Sequence, residues 1–282
     1  MADYRETLYE GYGQQLRIDE LLHEGHTDQQ HLVIFRNARF GRVMALDGVL
    51  QTTEADEFIY HETLAHVPIL AHGAVRRVLV IGVGDGGILR EIVRHAGIEE
   101  IVAVEIDAEV IALCREHLPQ HSAGALDDPR LRLVIGDGLD FVATTEERFD
   151  VIISDSTDPG GPASSLFGAD FYRNCQRCLN ADGVLATQNG VPFLQPDELS
   201  STARHLAATF ADWSFFLAAV PTYIGGAMSF GWASNSHRAR ATDLATLQQR
   251  FAASGLRTRY YNAEVHQAAF ALPQYMRELI GG

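Results

Sequence analysis

The sequence predicts an α/β protein: a doubly wound, mostly parallel sheet preceded by a small antiparallel β unit. Three observations predict it. Short apolar runs alternate with helical spacing from Arg77 onward, a glycine-rich turn closes the first of those runs, and residues 14–53 carry period-two patterning broken by turn signals.

Taken in order, the runs 14–18, 31–35 and 43–46 alternate apolar and polar residues, with turns at Phe40-Gly41 and Asp47-Gly48. They read as the antiparallel unit. Residues 55–71 then space Phe58, Ile59, Leu64 and Val67 as a helix does, with Pro68 near its end, and link the two parts. Runs 78–81, 101–104, 131–135, 151–154 and 184–187 read as buried strands, with helices beginning near Gly87, Ala108, Leu139 and Ala169. Runs 214–220 and 227–234 form an antiparallel pair at one edge. The division is an N-terminal β domain with its linking helix over 1–70 and a Rossmann-like domain over 71–282.

The chain has 282 residues, 46% hydrophobic and 21% charged, an ordinary globular composition long enough for one large core and an appendage. Acidic groups outnumber basic ones 37 to 22, a net charge of −15 that repels nucleic acid and attracts small cations. No apolar run approaches the ~20 residues of a membrane span. Three cysteines, Cys114, Cys175 and Cys178, and a polar start point to a reducing cytoplasm. Cys175 and Cys178 form a C-x-x-C inside a helical stretch, without the strand and turn of a redox motif, and read as helix packing.

The run 78–81 enters Gly82-Val83-Gly84-Asp85-Gly86-Gly87 and then a helix, the layout of a nucleotide-binding turn. Glu105 ends the next strand, where a carboxylate accepts ribose hydroxyls, and Gly136-Asp137-Gly138 follows the third, where an adenine amine can donate to Asp137. The glycines also fit a dinucleotide, but Asp85 repels a pyrophosphate where amide donors are needed. A ligand with positive charge near the turn is favoured instead. After the fourth strand, Asp155 and Asp158 stand three apart in a loop stiffened by Pro159 and Pro162, and can bracket a small cation. His61, Glu62 and His66 form H-E-x-x-x-H, which turns the second histidine off the face of the first; H-E-x-x-H would align them, so no metal is assigned.

From near its start to its end the chain resembles the spermidine synthase family. The segments that carry this are L-D-G-V-L-Q-T-T-E-A-D-E-F-I-Y-H-E (46–62), G-V-G-D-G-G (82–87), V-E-I-D (104–107), S-D-S-T-D-P (154–159), P-T-Y (221–223) and Y-Y-N-A-E-V-H-Q-A-A-F-A-L-P (260–273). The resemblance implies a class I methyltransferase-like catalytic domain and a reaction in which the aminopropyl group of decarboxylated S-adenosylmethionine passes to putrescine, giving spermidine and methylthioadenosine. It implies Asp155 as the catalytic residue and nucleoside contacts from Gln30, Glu105, Asp137, Gly138 and Pro162. Tyr60, His61, Asp85, Asp158, Gln188 and Tyr223 are placed around the aminopropyl group and diamine. The donor is a co-substrate, so no cofactor is implied; the partners are the two small substrates, and the assembly is a homodimer or homotetramer. Two departures stand out: Val83 replaces a usual glycine and narrows the turn, and Gly160 replaces a larger apolar residue, loosening the covering loop.

The decarboxylated donor carries a sulfonium and an ammonium but no carboxylate, so Asp85 suits it better than the parent methyl donor. The alternatives are an aminopropyltransferase for spermidine, cadaverine or agmatine, and an amine N-methyltransferase using intact S-adenosylmethionine.

Overall fold

The computed structural model describes residues 2–156 and 166–281. Strand β1 (Ala2–Arg5) pairs antiparallel with β2 (Gln15–Ile18), and β3 (Glu20–His26), β4 (His31–Asn37), β5 (Gly41–Leu46) and β6 (Val49–Thr53) form a four-stranded antiparallel meander. Side-chain alternation explains how this unit is held. Leu32 and Ile34 of β4 face one way, into a cluster with Val110, Cys114 and Leu118, while Val33 and Phe35 face the other, toward Leu16, Val43 and Leu50. One face of the small sheet is therefore packed on the larger part of the molecule.

Helix α1 (Glu57–His72) buries every residue from Ile59 to Ala71, including His61, Glu62 and His66. A helix enclosed all round is a core element rather than an amphipathic strap. Its apolar residues share one cluster with Val78, Val80, Ile101 and Val151. The helix stops at Gly73, whose N–H donates to the Ile69 carbonyl in a left-handed cap.

Beyond it run β7 (Arg77–Ile81), α2 (Gly87–Val93), β8 (Glu100–Glu105), α3 (Ala108–His117), the one-turn α4 (Pro119–Ser122), β9 (Leu131–Ile135), α5 (Gly138–Thr144) and β10 (Phe149–Ser154). Then follow α6 (Ala169–Cys178), β11 (Leu179–Gln188), α7 (Pro196–Thr209), β12 (Asp212–Ala218), β13 (Met228–Ser234), α8 (Leu244–Ser254), α9 (Ala263–Ala269) and α10 (Gln274–Leu279). The sheet order is β12-β13-β11-β10-β7-β8-β9, with β13 antiparallel to both its neighbours and the other pairings parallel. This is the doubly wound, Rossmann-like sheet of the methyltransferase type, with the antiparallel pair at one edge as expected. Alternate residues of the central strands feed two cores: Val78 and Val80 face α1 and α2, Leu79 and Ile81 face Phe171, Tyr172, Cys175 and Cys178. Both C-x-x-C thiols are free and buried there.

One expectation is corrected. The run at β9 reads as a buried strand, yet it is the sheet edge, with Leu133 38% and Ile135 53% exposed. Apolar content alone does not distinguish an edge from a centre.

Candidate active site

The chain leaves β7 and turns one way to β8, while β10 lies on β7's other side, so a crevice opens at the carboxyl ends of β7 and β10. The N-terminal meander lies across it. The resulting cleft is lined by Gln30, Tyr60, His61, Asp85, Glu105, Asp137, Gly138, Asp155, Gln188 and Tyr223. Ten of the sequence-nominated residues thus meet in one space. Asp158 and Pro162, and with them Gly160, lie outside the described residues.

The glycine turn is built around carboxylates. Glu105 accepts from the Val83 and Gly84 amides at 2.7 and 3.0 Å through one oxygen and from the Asp107 amide at 2.9 Å through the other. These bonds occupy three of about four acceptor positions and leave the carboxylate edge at the cleft. Gly82, at φ +86°, lies so near the β10 loop that a Cβ would stand 1.9 Å from the Asp155 carbonyl oxygen. That approach brings the two loops together. Val83 does not narrow the turn: its side chain is buried in the core with Ile88, away from the cleft.

Asp85 sits just before α2, where its carboxylate accepts from the Gly87 amide at 2.7 Å. The amide a phosphate would need is thereby used by a residue of opposite preference. His61 Nε2 lies 3.4 Å from one Asp85 oxygen and His121 Nε2 3.6 Å from the other. Burial alone would raise the Asp85 pKa, but the His61 and His121 charges and the Gly87 amide outweigh it and hold it below the ordinary range. Burial keeps His121 below its ordinary value; its Nε2 also meets Thr52 Oγ1 at 3.0 Å.

Asp155 follows β10 and has different company. The Tyr60 hydroxyl donates to its Oδ1 at 2.6 Å. Burial raises its pKa to about 6, against the pull of His61 and Tyr60 and with help from Asp85 and Glu105. An acidic group poised near neutrality beside an ionised one is a pairing suited to proton transfer and cation binding.

The remaining residues are set by loop anchors. Asp137 caps α5 by accepting from the Leu139 amide at 2.7 Å, and Gln30 donates to Asp107 at 3.4 Å. Tyr223 donates to the Gln51 carbonyl at 2.5 Å, on a loop that Asp56 holds through the Thr222 amide and hydroxyl. Gln188 ends β11, opposite Phe230 of β13. His61, Glu62 and His66 go three ways: His61 to Glu57 and Asp85, Glu62 to the amides of Arg259, Tyr260 and Tyr261, and His66 to His95 and Glu91.

Sequence reasoning did not nominate Glu57, Arg90, His121 or Asp56. Glu57 stands four residues before His61, a spacing that places both on one helix face and was available as a signal. His121, on an isolated turn, carried none.

Residues 57–243 match the spermine/spermidine synthase domain, and residues 4–54 match the spermidine synthase tetramerisation domain. A polyamine aminopropyltransferase of Pseudomonas aeruginosa is 65% identical over all of this chain and 98% of its own length; one from Pseudomonas syringae pv. tomato is 63% identical over 98% and 96%. Among solved structures, a spermidine synthase in complex with the transition-state analogue AdoDATO superposes with a TM-score of 0.94 at 37% identity, covering 99% of this chain and 95% of that one. The spermidine synthase of Thermotoga maritima gives 0.93 at 36%, covering 100% and 94%. A cleft that gathers carboxylates around a glycine-rich turn, in a chain matched over almost its whole length, places this protein in the spermine/spermidine synthase family of polyamine aminopropyltransferases.

Proposed function

We propose that the chain transfers the aminopropyl group of decarboxylated S-adenosylmethionine to putrescine, giving spermidine and methylthioadenosine. The observation that carries the reading is Asp85, buried, ionised and backed by the Gly87 amide inside the nucleoside turn. It attracts a donor bearing an ammonium and repels one bearing a carboxylate.

The nucleoside lies along Glu105, Asp137, Gly138 and Gln30, with Pro162 as a further contact, and the aminopropyl ammonium is held at Asp85 beside His61. Putrescine enters among Tyr60, Gln188 and Tyr223, with Asp158 as the anchor for its distal ammonium. A neutral amine attacks the carbon next to sulfur in line, and the carbon–sulfur pair leaves on methylthioadenosine. The attacking amine, with an ordinary pKa of about 10.4, must first lose a proton. Asp155 orients that nitrogen and accepts its proton; burial brings the carboxyl closer to the amine's own range than a surface aspartate would be.

No resident cofactor enters this scheme, since the donor is consumed. No described helix is long and apolar enough to cross a membrane, and a cytoplasmic enzyme fits the three free thiols. The tetramerisation-domain match supports a homo-oligomer, dimer or tetramer, formed through the N-terminal sheets.

The test is incubation with putrescine and either decarboxylated or intact S-adenosylmethionine, followed by mass spectrometry of the amines. Spermidine with methylthioadenosine, formed from the decarboxylated donor only, is the expected result. A methylated amine from the intact donor would replace the reading with amine N-methylation. Preference for cadaverine, agmatine or spermidine over putrescine would move the acceptor assignment alone.

A further inference from the structure

Behind the cleft, one helical turn before His61, Glu57 accepts from His61 Nδ1 at 2.6 Å and is itself gripped by Arg90, whose NH1 and NH2 reach its two oxygens at 3.1 and 2.7 Å. Arg90 also donates to the carbonyls of Gln120 and His121, tying this group to the turn that carries the second imidazole. The His61 ring has no room to swing. A Cβ on Gly87 would lie 2.2 Å from its Cε1, and Tyr60 packs edge-on at 5.5 Å between ring centroids.

The two ring nitrogens are therefore unequal. The inner one makes a short bond to a carboxylate clamped by a guanidinium, whereas the outer one faces Asp85 across 3.4 Å, beyond ordinary hydrogen-bond length. We propose that Glu57, held by Arg90, is a positioning residue that locks the His61 proton at Nδ1 and leaves Nε2 as an exchangeable proton site, which the donor's ammonium replaces at Asp85. This rests on the aminopropyl reading of the cleft.

The charges that face His61 are Glu57 from its own helix, Asp85 from the glycine turn, Asp155 from the β10 loop, Arg90 from α2 and His121 from α4. Burial opposes a charged ring, but Asp85 and Glu57 prevail and raise its pKa to about 9, so near pH 7.5 the ring is an imidazolium. An ammonium arriving at Asp85 competes with that cation for one carboxylate. The Nε2 proton passes to bulk solvent, the ring stays neutral with Nδ1–H on Glu57, and the freed Nε2 lone pair accepts from the ammonium. The exchange swaps one positive charge for another and leaves the site's net charge unchanged.

Titration calorimetry near pH 7.5, in two buffers of unlike ionisation enthalpy, counts the protons released when decarboxylated S-adenosylmethionine or neutral methylthioadenosine binds. The donor should release about one proton more than methylthioadenosine. Glu57→Gln, which keeps an acceptor but removes the charge, should cut that difference by half or more, whereas a merely structural Glu57 would lower the melting temperature and leave the count alone. Asp85→Asn should weaken donor binding by roughly tenfold or more. Equal counts for both ligands in the wild-type protein, with Asp85→Asn still weakening the donor, would overturn the exchange and spare the aminopropyl reading. An unchanged donor Kd in Asp85→Asn would remove both. The wild-type comparison stands whether or not a variant folds.

Discussion

Two walls of the same cleft each present an aspartate, and they shift its pKa in opposite directions. On the glycine-turn wall Asp85 has an amide donor and two imidazoles, which keep it below its ordinary pKa. On the β10 wall Asp155 has the Tyr60 hydroxyl and other carboxylates nearby, and it rises to about 6. Residue type is the same; the neighbours decide which way each pKa moves. In the reaction proposed above, the first is the anchor and the second the base.

The largest expected break in that comparison comes from the β10 wall. Asp155→Asn should lower kcat by about 10²- to 10⁴-fold while leaving methylthioadenosine affinity near normal, whereas Glu105→Gln should chiefly weaken the nucleoside. Steady-state kinetics beside calorimetry with methylthioadenosine separates the two, and near-normal turnover in Asp155→Asn would leave Asp155 without a chemical role.

A second effect belongs to the glycine-turn wall and is read as stability. His61 has a folded pKa of about 9 against about 6.5 when unfolded, so its contribution is fully present below pH 6.5 and is lost as pH rises through 9. The loss should reach up to about 3 kcal/mol. Denaturant unfolding across that window should show the decline in the wild-type protein and a flatter profile in His61→Asn. A matching slope in both would mean that His61 carries no ionisation-linked stability.

The smallest effect tests the hydroxyl on Asp155. The pH profile of kcat/KM reports the free enzyme, and its acidic limb should break near pH 6. Removing the Tyr60 hydroxyl withdraws a bond that favours the ionised carboxylate, so Tyr60→Phe should move the break upward by roughly one pH unit. Activity at pH 6 should fall more than activity at pH 8; a uniform fall would assign Tyr60 to substrate packing instead.

Much of this arrangement is legible in the sequence. The alternation of apolar runs and helical spacing marks the central strands, because period two and period 3.6 are imposed by burial. Asp85, Glu105 and Asp137 announce themselves because each lies at or just beyond the carboxyl end of a strand, where doubly wound sheets bind ligands. β1 and β3 are poorly marked, since their exposed and mixed faces carry little alternation. The imidazole at His121 is hidden for another reason. It reaches Asp85 only because α4 packs against α2, a long-range contact that no local pattern encodes.

Helix α1 has a mechanical consequence. Asp56 and Glu62 at its start hold the Tyr223 loop and the 259–261 segment, while Tyr60 and His61 between them reach Asp155 and Asp85. All four attachments lie within two turns of one enclosed helix. The cleft should therefore behave as a single cooperative unit, with the backbone amides of Thr222 and Tyr261 exchanging with solvent only when α1 itself opens. A ligand that steadies any one wall would slow that opening for every other.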